Sequence, residues 1–137
     1  MRHDPSLTPY RHNVALSDGA QDWQQGAGRE QLAGLGGDFL VRELPGPIDE
    51  SHGAFMDTAA IIANLDLVVT CDTAIAHLAG GLGAPVWLAL SSAPDWRWMR
   101  DRSDTPWYPT MRLFRQKKLF DWDGVFDEMR SELIAAD

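Results

Sequence analysis

Apolar residues are concentrated in one central stretch, residues 67–90, which reads LVVTCDTAIAHLAGGLGAPVWLAL. Its first part, residues 67–70, is apolar and β-branched, as is typical of a strand buried on both faces. A helix of small residues is predicted for 74–82, and Gly83 stands where a left-handed C-cap would end it. The apolar run at 86–90 predicts a second buried strand. The pattern therefore indicates a β-α-β unit whose two strands are parallel.

Three shorter segments outside this unit also have the pattern of strands. Residues 14–16 and 39–41 are short apolar runs, and residues 111–115 alternate like a half-buried edge strand. Together with the two central strands they predict a parallel sheet of about five strands. The expected fold class is α/β, a three-layer Rossmann-like domain.

Three further helices are predicted around the central unit. One covers residues 29–35, and another covers 58–64 with Asp57 as its capping residue. The last begins at Asp121, with acidic residues in its first turn. Its apolar residues fall on one stripe at helical spacing, which predicts a core-facing side. The stripe consists of Trp122, Val125, Phe126, Met129 and Leu133.

The chain divides at about residue 22. Residues 1–22 are polar, contain Pro5 and Pro9, and are expected to be poorly structured apart from the short strand at 14–16. Residues 23–137 are expected to form one Rossmann-like domain, which is long enough to bury its own core.

Charge and composition exclude several classes of function. The net charge is −8 over 137 residues, which argues against binding to nucleic acid or to a membrane surface. Cys71 is the single cysteine, so no internal disulfide is expected, and this fits a reducing cytoplasm. No apolar run reaches the roughly 20 residues of a membrane span, and the N-terminus lacks the pattern of a signal peptide. The expected localisation is cytoplasmic.

Candidate chemistry lies where the first central strand meets its helix. Ligands of parallel α/β sheets bind beyond the carboxyl ends of the strands. Thr73 offers a hydroxyl and an N–H there, and Ala74 a further N–H, which together with the helix dipole suit a diphosphate without a metal. Asp72 is expected to cap the helix and to shape the turn. His77 follows one turn later on the same face and is either a ligand for phosphate or ribose or an ordinary structural histidine.

Motifs for other chemistries are missing from the sequence. Four scattered histidines and one cysteine show no zinc spacing, so no metal is expected. The sequence also lacks a Gly-x-Ser-x-Gly elbow and a Walker lysine motif.

Residues 72–77 read Asp-Thr-Ala-Ile-Ala-His, and residues 82–85 read Leu-Gly-Ala-Pro. This pattern resembles the donor-site motif of GT-B glycosyltransferases. It is most similar to the ADP-heptose:lipopolysaccharide heptosyltransferases of glycosyltransferase family 9 and to the glycosyltransferase-like C-terminal regions of bacterial tetratricopeptide-repeat proteins. Those families read Asp-Ser/Thr-Gly/Ala-x-x-His and then Leu-Gly-x-Pro. The resemblance extends from about residue 24 to the C-terminus and is strongest over 56–116.

The resemblance implies a donor phosphate-binding set and four further candidate contacts. The phosphate-binding set is Asp72, Thr73, Ala74 and His77, and the further candidates are Gln24, Asp57, Thr58 and Arg97.

Each further candidate has a plain structural alternative. Gln24 begins Gln-Gln-Gly where the families often have Gln-Lys-Gly, so the lysine is absent, and the alternative is the first turn of a helix. Asp57 and Thr58 begin a helix beside the donor nucleotide, or they simply cap it. Arg97 belongs to a lid with Trp96 and Trp98, and the alternative is that the two tryptophans pack under a long loop.

The resemblance also implies an incomplete enzyme. In GT-B transferases the acceptor site and the general base come from the N-terminal domain, so this chain is expected to bind a nucleotide-diphosphate-sugar and to contain no catalytic residue. No cofactor is expected, since the nucleotide-sugar is the substrate. The expected partners are the missing N-terminal domain or a tetratricopeptide-repeat region, or a second copy in a homodimer.

Two other interpretations stay open. The first is a non-catalytic scaffold or protein-interaction module that uses the same half-fold. The second is a nucleotide-sugar epimerase of GT-B shape, which would also need two domains.

Overall fold

The computed structural model describes residues 14–17, 48–51 and 53–135, with the backbone alone for 14–17. The strand predicted at 39–41 and the helix predicted at 29–35 lie outside these residues.

The described residues form a parallel sheet of four strands. The strands are β1 (Val14–Ser17), β2 (Leu67–Cys71), β3 (Val86–Leu90) and β4 (Met111–Arg115), and their order in the sheet follows their order in the chain. Each neighbouring pair is parallel. The predicted α/β class and the parallel β-α-β unit are therefore confirmed, with four strands described where about five were expected.

Helices cover both faces of this sheet. α1 (Met56–Ile62) and α2 (Ala74–Gly81) lie on one face, and α3 (Trp122–Ala135) lies on the other. Alternate residues of a strand point to opposite faces, so β2, β3 and β4 each contribute to both cores. The larger core contains Ile62, Val68, Ile75, Leu88 and Leu113, and the smaller one contains Ala89, Phe114, Val125 and Met129.

α2 ends as the sequence predicts, at a glycine with positive φ. Gly83 has a φ of 73°, a conformation that a residue with a Cβ adopts only with strain. Its N–H donates to the carbonyl of Gly80 at 3.1 Å, and the N–H of Ala84 donates to the carbonyl of Ala79 at 3.1 Å. These two bonds form a Schellman motif, which turns the chain directly into β3.

The predicted cap of α1 is wrong. The helix begins at Met56, so Asp57 lies inside it, and the capping carboxylate belongs to Asp49. Asp49 accepts hydrogen bonds from the N–H groups of Asp57 (2.7 Å) and Thr58 (3.2 Å) and from the Thr58 hydroxyl. Asp57 in turn accepts from the N–H of Asp49 at 2.8 Å. The two carboxylates thus exchange bonds in the manner of a capping box, but across eight residues.

The apolar stripe of α3 is only partly core. Val125 and Met129 are buried, whereas Trp122 and Phe126 are 38% and 52% exposed. α3 packs against β4, the outermost described strand, and a helix on an edge strand buries only a narrow part of its surface. β4 lies at an edge of the described sheet, as predicted, but its alternation breaks at Phe114, which is covered by α3 and is 1% exposed.

The loop between β3 and β4 returns along the free edge of β4. The N–H of Leu113 donates to the carbonyl of Ser103 at 2.7 Å, and Asp104 forms an isolated antiparallel bridge with Arg112. Residues 103–104 therefore occupy part of the edge that an additional strand would otherwise use.

Candidate functional site

The N-terminus of α2 lies directly after the carboxyl end of β2. Thr73 is its N-cap, with extended backbone angles (φ −142°, ψ 175°), and the helix begins at Ala74 as predicted. The Thr73 side chain makes no capping bond, and its Oγ1 lies 3.5 Å from the Oγ1 of Thr70. The N–H of Ala76 donates to the carbonyl of Thr73 at 3.1 Å. The first N–H groups of a helix have no acceptor one full turn back, so those of Ala74 and Ile75 are open to an anion.

Asp72 does not have the capping role predicted for it. Asp72 is exposed, and among the described residues no hydrogen bond is recorded that its carboxylate accepts from the N-terminus of α2. It stands instead at the turn between β2 and α2, beside Thr73.

His77 lies one turn into α2 and is fixed by two aromatic residues from the loop between β3 and β4. Its Nδ1 is 2.9 Å from the hydroxyl of Tyr108. Its ring stacks on the indole of Trp98, with a centroid distance of 5.3 Å and an interplanar angle of 20°. Trp98 itself is 1% exposed, which confirms its interpretation as a packing residue. The sequence suggested a role for His77 but did not indicate either partner.

Tyr108 approaches α2 closely because Gly80 has no side chain. A Cβ built at Gly80 would lie 2.5 Å from Cγ of Tyr108, far inside van der Waals contact. Ala76 and Ala79 of the same helix are fully buried. The small residues of α2 therefore let the helix pack closely, as predicted. Gly81 is different, since a Cβ there would meet no atom within 4 Å.

Arg115, the last residue of β4, is hydrogen-bonded to the loop that carries Trp98. Its Nη2 donates to the carbonyl of Trp98, and its Nε donates to the carbonyl of Arg102 at 3.5 Å. Burial of the guanidinium lowers the pKa of Arg115, and the nearby charge of Asp101 opposes this shift. A partly desolvated cation thus holds the aromatic residues in place over α2.

Arg97 lies on the outside of the same loop. Its guanidinium forms an ion pair with Asp95 at 3.0 Å and lies over the ring of Trp96 at 5.3 Å from the centroid. The indole N–H of Trp107 donates to the backbone carbonyl of Arg97 at 3.0 Å. Trp96 is 72% exposed and Trp107 is 53% exposed, so this part of the loop presents aromatic and cationic groups to solvent. The structure records no contact between Arg97 and the N-terminus of α2.

Asp57 and Thr58 take part in the capping network of α1. Thr58 is 2% exposed, and its hydroxyl donates to Asp49. The structure records no hydrogen bond between Thr58 and Thr73, and Asp57 and Thr58 both donate to the capping carboxylate of Asp49. Gln24 lies outside the described residues.

Two buried donors have no partner among the described residues. They are Nε1 of Trp98 and Nε2 of Gln116. The other amide atom of Gln116, Oε1, accepts from the N–H of Ser92 at 3.2 Å, where β3 and β4 end. Buried polar groups without a partner are rare in native proteins. The burial of Gln116 could not be predicted from the sequence, because a glutamine after a strand is usually exposed.

The described residues contain no group of three or more His, Cys, Asp or Glu side chains that could hold a metal ion. No helix in the described ranges has the length and apolar character needed to cross a membrane.

Comparison with known proteins gives one partial similarity. The chain is 31% identical over 77 residues to Protein FlbA of Caulobacter vibrioides (strain ATCC 19089 / CIP 103742 / CB 15). The aligned part covers 56% of this chain and 13% of that protein, so the chain matches only a small part of its relative. No family model matches the sequence, and no solved structure matches it.

Proposed function

We propose that this chain is the donor-binding domain of a GT-B glycosyltransferase, and that it binds a nucleotide-diphosphate-sugar at the N-terminus of α2. The observation that carries the proposal is the arrangement at this point of the sheet. An uncapped helix N-terminus follows β2, Thr73 supplies a hydroxyl, and His77 stands one turn away in a fixed orientation. The same residues form the motif that resembles the donor site of these enzymes.

The diphosphate is bound by dipoles and hydrogen bonds, without a metal. The N–H groups of the first turn of α2, including that of Ala74, point toward an anion placed beyond the helix, and the helix dipole favours negative charge there. The Thr73 hydroxyl can donate one further bond. Asp72 is an exposed carboxylate, which repels phosphate, so its role is to shape the turn and not to bind the charge itself.

Transfer of the sugar requires an acceptor site and a general base in addition to the donor site. General acid or base catalysis needs a positioned titratable group within reach of the acceptor hydroxyl. In this site His77 is assigned to the donor, and Asp72 has no second carboxylate beside it in the turn. As the resemblance implies, the acceptor site and the base are assigned to a second domain, and this chain is proposed to bind the donor without turning it over alone.

A scaffold or protein-interaction module is the second candidate, and an apolar surface near the start of α3 favours it. Four large apolar residues are exposed there, and an exposed cluster of this kind is typical of a contact surface. They are Leu119 (69% exposed), Phe120 (80%), Trp122 (38%) and Phe126 (52%).

An amide NMR titration of the chain with ADP, UDP, GDP and their sugar conjugates tests the first candidate. Shifts that saturate and cluster at Thr73, Ala74 and His77 are the expected result, and the nucleotide that gives them identifies the base. The absence of shifts at millimolar ligand contradicts donor binding by this chain and leaves the scaffold as the leading candidate.

The second candidate is tested by sedimentation of the wild type and of a variant with Phe120→Ser and Phe126→Ser. If the apolar surface mediates self-association, the wild type sediments as a dimer and the variant as a monomer. If the wild type and the variant both sediment as monomers, the result argues against a homodimer formed through this surface.

A further inference from the structure

We propose that Tyr108 is a positioning residue that fixes the tautomer of His77, so that His77 presents an Nε2–H donor toward the N-terminus of α2. The identity of the anion that receives this donor rests on the proposed function. The tautomer itself is a property of the chain alone.

The hydrogen bond between the two side chains leaves one ring nitrogen for a ligand. Nδ1 of His77 is 2.9 Å from the Tyr108 hydroxyl, and the described residues provide no recorded partner for Nε2. In neutral imidazole one nitrogen carries the proton and the other accepts. The direction of the Tyr108 bond therefore decides what Nε2 offers.

Packing prevents the histidine ring from turning over, a movement that would put Cδ2 in the place of Nδ1. The ring stacks on Trp98 and meets the edge of Tyr108 at a centroid distance of 5.8 Å. A ring flip would break the bond to Tyr108. Tyr108 cannot follow such a movement, because its ring is seated on Gly80 and its carbonyl accepts from the N–H of Met111 at 3.0 Å.

General helix geometry directs the His77 side chain toward the helix N-terminus. Side chains in an α-helix tilt toward the N-terminal end, so a residue covers the turn that precedes it. His77 follows Thr73 by four residues and therefore stands over the first turn of α2. A proton on Nε2 would complement the N–H groups of that turn, whereas a lone pair on Nε2 would repel an anion bound there.

These constraints favour Tyr108 as the donor. A phenol hydroxyl donates readily, and an unprotonated imidazole nitrogen accepts readily. When Tyr108 donates to Nδ1, the proton of neutral His77 must be on Nε2. His77 then adds a hydrogen-bond donor to the site, and Tyr108 sets the tautomer, as a hydrogen-bonding partner does for many functional histidines.

NMR of the ring nitrogens at about pH 8, where an ordinary histidine is neutral, tests the tautomer without any ligand. The expected result for the wild type is a proton on Nε2 and a hydrogen-bonded acceptor at Nδ1. Tyr108→Phe keeps the ring on Gly80, and the Nδ1 signal should move to that of an acceptor without a bond. A proton on Nδ1 in the wild type overturns the proposal.

A double-mutant cycle then tests whether Tyr108 acts through His77. Binding of the nucleotide diphosphate identified above is measured for the wild type, Tyr108→Phe, His77→Ala and the double variant. Where His77 is present, Tyr108→Phe should weaken binding about tenfold. In the His77→Ala background, Tyr108→Phe should not weaken binding further. Equal losses in both backgrounds would show a merely structural role and would overturn the proposal.

Thr110→Val is the matched control. It removes a hydrogen bond of the same loop, from the Thr110 hydroxyl to the carbonyl of Ala84 at 2.7 Å, and should leave the His77 signals unchanged. If the wild type binds no nucleotide, the proposed function fails, and the ring-nitrogen measurement alone decides for or against the role of Tyr108.

Discussion

The ring of Tyr108 occupies the space where Gly80 would carry a side chain, with Cγ of the ring 2.5 Å from the position of a Cβ. This contact joins α2 to the loop between β3 and β4. It makes the orientation of His77 depend on a glycine that lies one turn further along the same helix.

Gly80→Ala is expected to destabilise the fold although alanine favours helices. The gain in helix propensity is about 1 kcal/mol. Overpacking against an aromatic ring costs about 1–3 kcal/mol. Denaturant unfolding should therefore show a net loss, together with shifted NMR signals of His77.

Gly81→Ala is the control for this substitution. A Cβ at Gly81 meets no atom within 4 Å, so the change should be neutral or should stabilise the protein by up to about 1 kcal/mol. Equal effects of the two substitutions would contradict the close approach of Tyr108.

Thr73→Asp separates ligand binding from stability. Aspartate is at least as good an N-cap as threonine, so the unfolding free energy should be unchanged or higher. A carboxylate at the same point repels a diphosphate, and nucleotide binding in the NMR titration should fall below detection.

Thr73→Ser keeps the hydroxyl and should bind nucleotide nearly as well as the wild type. If Thr73→Asp binds nucleotide diphosphates as well as the wild type does, the N-terminus of α2 is not the phosphate site.

Asp49 makes the stability of α1 depend on pH. Burial would raise the pKa of Asp49, but hydrogen bonds from the side chain and N–H of Thr58 and from the N–H groups of Asp57 and Phe55 outweigh it and lower the pKa. Because the folded-state pKa lies below the unfolded value, the stabilisation is complete above about pH 4. It is lost as the pH falls through the folded-state pKa.

Asp49→Asn should cost about 1 kcal/mol of unfolding free energy at neutral pH, because hydrogen bonds to a charged acceptor contribute about that much more than bonds to a neutral one. Asparagine tolerates the positive φ of 62° at this position, so the backbone itself should not be strained. Unfolding measured from neutral to acidic pH should show a smaller acid-dependent loss in the variant. If the unfolding free energies of the two proteins fall in parallel as the pH is lowered, Asp49 is not the source of the acid-dependent loss.

Arg115→Lys is expected to loosen the loop that carries Trp98. Lysine keeps the positive charge, but its single ammonium group cannot replace the planar guanidinium that donates to the carbonyls of both Trp98 and Arg102. We expect a loss of about 1–2 kcal/mol in unfolding free energy and a shifted indole N–H signal of Trp98.

Arg112→Lys is the comparison for that prediction. Its guanidinium pairs at 2.7 Å with Glu132, and both side chains are about 40% exposed, so water already screens the pair. The loss should be smaller than for Arg115→Lys, and an equal loss would contradict the special role of Arg115.

The sequence was most informative where local chemistry decides the structure. The β-branched run of β2, the small residues of α2 and the glycine at 83 predicted the β-α-β unit because strand burial, close helix packing and a positive φ each restrict the residue types allowed. The same local reasoning expected Asp72 to cap α2, one residue before the observed N-cap, Thr73.

Contacts between distant residues could not be predicted in this way. The cap of α1 comes from Asp49, eight residues away, although Asp57 has the capping residue type at the expected position. His77 meets Tyr108 across 31 residues, and nothing in the spacing of either residue indicates the pairing. The exposure of Trp122 and Phe126 depends on how much of the sheet lies beneath α3, which helical periodicity does not encode.

The return of residues 103–104 along β4 has a consequence for how the sheet can grow. An open strand edge invites pairing with another chain, and a strand added at β4 would have to displace the bonds of Ser103 and Asp104. Extension of the sheet, whether by this polypeptide or by a neighbouring one, is therefore disfavoured on the β4 side, where the loop that holds His77 lies.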